Sequence, residues 1–162
     1  MDTHWHAVVP AAQAPHVKGD LTGDMQVDLV LRQQGTWAHA LWEQVGARRL
    51  GAAAALTPTP DAVWELEGID DFDGDHRSDL VFRDPATGAV EFWLMNGLVR
   101  NGAVVPIANA PPLATDWRLS ATGDFDADGH ADLLWRNSVS QKIAVWTMNG
   151  AAYVATLVPT PR

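Results

Sequence analysis

Carboxylates placed on every second residue can converge on one hard cation, and this sequence holds three runs built that way. "GDFDADGHADLLWRN" (residues 123–137) carries Asp124, Asp126, Asp128 and Asp132. "DDFDGDHRSDLVFRD" (residues 70–84) carries Asp71, Asp73, Asp75 and Asp79 at the same spacing. "GDLTGDMQVDLVLRQ" (residues 19–33) places Asp20, Asp24 and Asp28 likewise, with Thr22 at the third position. At an effective dielectric near 20, two unit charges about 4 Å apart repel by roughly 4 kcal/mol, so such crowding calls for a compensating charge.

The donor chemistry narrows the choice of ion. Oxygen-only ligands favour calcium, whereas zinc and copper prefer nitrogen and sulfur. Side chains at loop positions one, three, five and nine supply carboxylates. A backbone carbonyl at position seven, from Arg77 or His130 and more weakly from Gln26, approaches calcium's six to eight oxygens. An EF-hand loop starts similarly but needs an acidic residue at position twelve, where this chain has Phe82 and Trp135. The closing carboxylate instead sits at position nine, on the threshold of an apolar run, so the loop is expected to close a β-hairpin. Two calcium sites are expected, with the Thr22-containing loop a weaker or empty third. Solvated Asp-Gly turns are the alternative, and recurrence in one register weighs against them.

That register organises the chain. The leading aspartates Asp20, Asp71 and Asp124 are separated by 51 and 53 residues, as are Trp42, Trp93 and Trp146 in "AHALWEQVG", "AVEFWLMNG" and "KIAVWTMNG". Arg32, Arg83 and Arg136 also recur, while Trp64 and Trp117 precede their loops by seven residues and Gln13 takes that place in the first copy. Short apolar runs such as "DLVFR" and "DLLWR", β-branched and aromatic "VEFW" and "IAVW", and Gly, Pro and Asn between them read as strands. "MNG" at residues 95–97 and 148–150 carries an Asn-Gly turn signal, absent from the first copy, and proline-ended segments suit outer edges. The stretch 41–56 is the only tempting helix, and its glycines count against it. The expectation is an all-β fold of three four-stranded antiparallel propeller blades, each of about 52 residues. They would cover 13–60, 61–113 and 114–162, with residues 1–12 as an amino-terminal strand or latch.

Composition excludes several function classes. A net charge of −9 argues against a nucleic-acid partner. No apolar run nears the roughly 20 residues that span a bilayer, and no signal peptide is visible. Cysteine is absent, which removes disulfides and thiol chemistry. No phosphate loop or nucleophile motif appears, and a catalytic carboxylate pair is needed once rather than three times, so no enzymatic activity is expected. The "HWH" at residues 4–6 reads as a solvated terminus. Trp42, Trp93 and Trp146 read as packing between blades, with Trp5 and Trp37 outside the repeat. The recurring arginines read as partners of backbone or carboxylates.

The order of aspartate loop, strand, tryptophan strand and Asn-Gly turn resembles the FG-GAP or VCBS repeat of integrin-like β-propellers and many secreted bacterial proteins. The resemblance covers about Val17 to the end. It implies calcium between the first and second strands of each blade, an extracellular or periplasmic setting, and adhesion or binding of a glycan or protein. A purely structural spacer or assembly unit is the other class. His76 and Ala127 depart from the family's loop glycines. Three blades alone leave an apolar face at each end, and "HWHAVVP" resembles the fourth-strand "YVATLVP". A homodimer closing a six-bladed ring, or neighbouring blades in a larger protein, would satisfy both observations.

Overall fold

The computed structural model describes residues 17–32, 39–52, 54–55, 63–107, 109–111 and 113–158. The expected latch at 1–12, with its histidines and Trp5, and also Gln13 and Trp37, lie outside the described residues. Every regular element among the described residues is a strand. The first repeat contributes β1 (Leu29–Arg32), β2 (His39–Trp42), β3 (Gln44–Val45), β4 (Arg48–Arg49) and β5 (Ala54–Ala55). The second has β6 (Glu65–Asp70), β7 (Asp79–Arg83), β8 (Val90–Trp93), β9 (Met95–Asn96), β10 (Val99–Arg100) and β11 (Val105–Pro106). The third has β12 (Trp117–Gly123), β13 (Asp132–Asn137), β14 (Ile143–Asn149) and β15 (Ala152–Leu157).

All pairings between neighbouring strands are antiparallel. The second and third repeats each form a four-stranded sheet, ordered β11-β8-β7-β6 and β12-β13-β14-β15. Among the described residues the first repeat forms a sheet of three strands in the order β1-β2-β5. Ahead of its aspartate loop, Asp20 N–H bonds back to the Val17 carbonyl and Gly19 adopts φ +89°, so the chain turns there. Within the stretch 41–56 the described residues form short strands and turns and no helix, in accord with its strand reading.

The hairpin after each tryptophan also differs by one residue from its sequence signal. Asn96 pairs with Val99, so the two-residue loop is Gly97-Leu98 rather than Asn-Gly, and Gly97 has φ +66°. Gly46 (φ +59°) and Gly150 (φ +62°) stand at the same place. The first repeat therefore keeps the turn despite lacking "MNG", because only a glycine in the first loop position is required.

Side-chain alternation builds a core on each side of the central sheet. Leu80, Phe82, Trp93 and Met95 face the first repeat and surround Leu21, which is fully buried with Leu41. Val81, Val90 and Phe92 face the third repeat and meet Leu133, Trp135, Trp146 and Met148 around Phe72. Trp93 and Trp146 are thus packing residues between repeats, whereas Trp42 is half-buried with the Arg49 guanidinium over its ring. Lys18 ties the three repeats together, pairing with Asp70 at 3.1 Å and donating to the Thr122 carbonyl at 2.9 Å.

β6 packs against β12 at Gly68. A Cβ there would lie 2.9 Å from methyls of both Thr122 and Val81 and 3.1 Å from Leu119. Two of those neighbours are β-branched and have little rotamer freedom to yield. Gly68→Ala is expected to lower the unfolding free energy by about 1–3 kcal/mol through overpacking. Urea unfolding should show the midpoint falling while the slope stays unchanged.

Candidate functional site

The second and third aspartate loops are hairpin connections whose ends are fixed by strand pairing, Asp70 opposite Asp79 and Gly123 opposite Asp132. Inside, the first aspartate gathers the turn. Asp71 accepts from the N–H of Gly74 at 2.7 Å and of His76 at 2.8 Å. Asp20 accepts from Gly23 and Met25, both at 2.7 Å, and Asp124 from Ala127 at 2.6 Å and Gly129 at 3.1 Å. The fifth-position carboxylate caps the seventh residue: Asp24 accepts from Gln26, Asp75 from Arg77 and Asp128 from His130, at 2.8–2.9 Å.

Positions four and six are left-handed in all three loops, with one glycine and one other residue each. Gly23 pairs with Met25 (φ 68°), Gly74 with His76 (φ 69°) and Ala127 (φ 64°) with Gly129. The two departures from family glycines therefore leave the loop path unchanged, at a cost of roughly 1–2 kcal/mol per non-glycine residue, offset by the hydrogen bonds to the first aspartate.

The ninth aspartate does what sequence reasoning missed. Asp79 is fully buried. One oxygen accepts from Met95 N–H at 2.7 Å, the other from Phe72 at 3.0 Å and Asp73 at 3.3 Å. Asp132 joins Met148 (2.9 Å) to Phe125 (2.8 Å), and Asp28 joins Gln44 (3.0 Å) to Leu21 (2.9 Å). Each therefore ties its loop to the strand segment beyond the tryptophan. The constant spacing from Asp79 to Met95 and from Asp132 to Met148 was the available signal.

Carboxylate oxygens of Asp71, Asp73 and Asp79 lie within 4.8 Å of one another, as do those of Asp124, Asp126 and Asp128. Asp75 is exposed and lies outside the first of these groups, and Asp132 lies outside the second. The Asp20, Thr22, Asp24 and Asp28 set forms no comparable cluster among the described residues. Burial pushes Asp79 up to about 7, with Asp73 and Asp71 adding repulsion against the two backbone bonds. Burial also raises Asp73, helped by Asp75, and raises Asp132. An ion with oxygen ligands at 2.3–2.6 Å spans such a cluster from one side to the other and stabilises the ionised carboxylates.

The loops stack. Ser78 N–H donates to the Asp20 carbonyl at 2.7 Å, and Ala131 N–H to the Asp71 carbonyl at 2.8 Å. Seventh-position side chains lean on the preceding loop: Arg77 over Gly23, and His130 against Gly74 with Nδ1 3.2 Å from the Phe72 carbonyl. The recurring arginines do not share one role. Arg32 reaches the Trp64 carbonyl and Arg136 the Gln141 side chain. Arg83 departs from the expectation of a direct partner: among the described residues its buried guanidinium makes no hydrogen bond and sits in the fields of Arg118, Glu67, Asp84 and Glu65.

A repeating antiparallel sheet with an aspartate loop at the head of each unit defines a class of modular β-repeat protein. Residues 71–135 match the FG-GAP-like repeat and residues 117–154 the FG-GAP repeat, and the chain belongs to the FG-GAP repeat family. Members typically form integrin-like β-propeller modules outside the cell and often bind calcium. No curated protein and no solved structure matches the chain. No helix among the described residues is long and apolar enough to cross a membrane.

Two outcomes separate the roles of the ninth and fifth positions. In chelator, Asp79→Asn should cost about 2–4 kcal/mol, because the new NH2 group faces backbone N–H donors it cannot accept from. Asp75→Asn should stay within about 0.5 kcal/mol there and instead reduce any gain from calcium; urea titrations with and without calcium measure both. The pH dependence follows from Asp79. Its folded value of about 7 lies above the ordinary 3.8, so the folded state holds more protons between these values. Stability in chelator should therefore fall as pH rises from about 4 to 7, and saturating calcium should flatten that slope in parallel melting series.

Proposed function

We propose that this chain is a calcium-stabilised, non-catalytic FG-GAP propeller module that works outside the cytoplasm, in the extracellular space or periplasm, as a binding or adhesion unit for a glycan or protein ligand. The observation that carries this reading is the convergence of carboxylate oxygens to within 4.8 Å in two consecutive loops. Calcium would be held by Asp71, Asp73, Asp75 and Asp79 and by Asp124, Asp126, Asp128 and Asp132, with the carbonyls of Arg77 and His130. The Asp20 loop, with Thr22, Asp24, Asp28 and the Gln26 carbonyl, is the weaker third. Three ions would take the formal charge from −9 to −3.

Support for a non-catalytic role comes from use of the acidic residues: the first and ninth positions are committed to backbone hydrogen bonds in every loop. Support for a setting outside the cytoplasm comes from the family and from the chemistry of exposed sites, since extracellular calcium modules operate at dissociation constants near 10⁻⁴–10⁻³ M. The second reading, a structural assembly unit without a soluble ligand, is favoured by the apolar residues left exposed on the end repeats.

Calcium binding to the native state alone should stabilise it by about 2.7 kcal/mol per site at a hundredfold excess over the dissociation constant. Melting curves in chelator and in millimolar calcium measure this, and superimposable curves would refute the metal reading. Glycan-array binding that disappears in chelator separates the binding module from the assembly unit.

A further inference from the structure

The two joints between repeats are built to one pattern. A loop of one repeat inserts its second residue into the face of the next: Leu21 against Leu80, Phe82, Trp93 and Met95, and Phe72 against Leu133, Trp135, Trp146 and Met148. Both inserted residues are 0% exposed. Beside each, the carbonyl of the loop's first aspartate takes an N–H from the eighth loop position of the next repeat.

One step further at each end, the pattern is left half complete. Phe125, the counterpart of Leu21 and Phe72, is 48% exposed. At the other end Leu29 is 43% exposed, where its counterparts Leu80 and Leu133 are fully buried. Leu31 and Trp42 continue that face, in the places of Phe82 and Trp93. The backbone repeats the message. The Asp124 carbonyl and the Val27 N–H hold the positions of acceptor and donor, and no backbone bond engages either among the described residues. The third repeat ends in an insert without a receiver, and the first begins with a receiver without an insert.

We infer that the third repeat of one copy docks on the first repeat of a second copy. Phe125 seats against Leu29, Leu31 and Trp42 of the partner, and the partner's Val27 N–H donates to the Asp124 carbonyl. The occupant follows from the internal joints, which show the residue types that cover each face. Two such head-to-tail contacts related by a two-fold axis close a ring of six repeats without a free end. The inference goes beyond the calcium reading, since the joint uses apolar side chains and main chain.

The test uses sedimentation equilibrium of the 162-residue chain in calcium over a range of concentrations. The expected species has twice the 17.5 kDa mass of one chain. Phe125→Asp and Leu29→Asp, both at partly exposed positions, should each weaken association by about thirtyfold or more. Circular dichroism should show each variant still folded. Mixing the two variants should restore the two-chain species, because one intact joint can form between an unaltered Phe125 and an unaltered Leu29. A wild-type chain that stays at 17.5 kDa at every concentration overturns the inference. So does a two-chain species that Leu29→Asp leaves intact, which would mean pairing of like faces. A single-chain species that still melts higher in calcium would refute only the assembly and leave the metal reading standing.

Discussion

The structure depends on one carboxylate used in two directions. In every repeat the ninth loop residue turns one oxygen toward its own loop and the other toward the strand segment beyond the tryptophan, as Asp28, Asp79 and Asp132 all do. A buried backbone N–H without an acceptor is costly, and two segments here would otherwise each present one. The short aspartate side chain closes both at once. It brings the residue after the leading aspartate inward, which is why Leu21 and Phe72 can enter the core between repeats. Loop shape, hairpin position and the joint between sheets are therefore set together.

The same carboxylate links packing to ion chemistry. Burial raises the proton affinity of Asp79 and Asp132, so the interior arrangement resists the ionised form that a divalent cation needs. The loops are nevertheless shaped in advance by bonds from the first and fifth positions, so ligands need little rearrangement to converge.

Much of this was legible in the sequence. The 51- and 53-residue register, the strands, the hairpins closed by the second and third acidic loops and the packing role of Trp93 and Trp146 all follow from periodicity and residue type. Other features were hidden because they depend on geometry. An aspartate at position nine reads as a ligand, and only the structure shows it bonding the backbone sixteen residues on. The turn after the tryptophan is set by where pairing ends, which moved it from Asn-Gly to Gly-Leu at residues 97–98. The chain turns at Gly19, and the buried Arg83 guanidinium makes no hydrogen bond among the described residues, neither of which a residue type announces.

The bond between successive loops runs from main chain to main chain, from Ser78 to Asp20 and from Ala131 to Asp71. Such a joint imposes no side-chain chemistry on its donor, and valine, serine and alanine occupy that place in the three copies. Duplication of a unit thus carries its own connector with it. A lineage of such chains can lengthen, shorten or exchange units while the surrounding sequence drifts, since the coupling is written in the peptide backbone that every copy inherits.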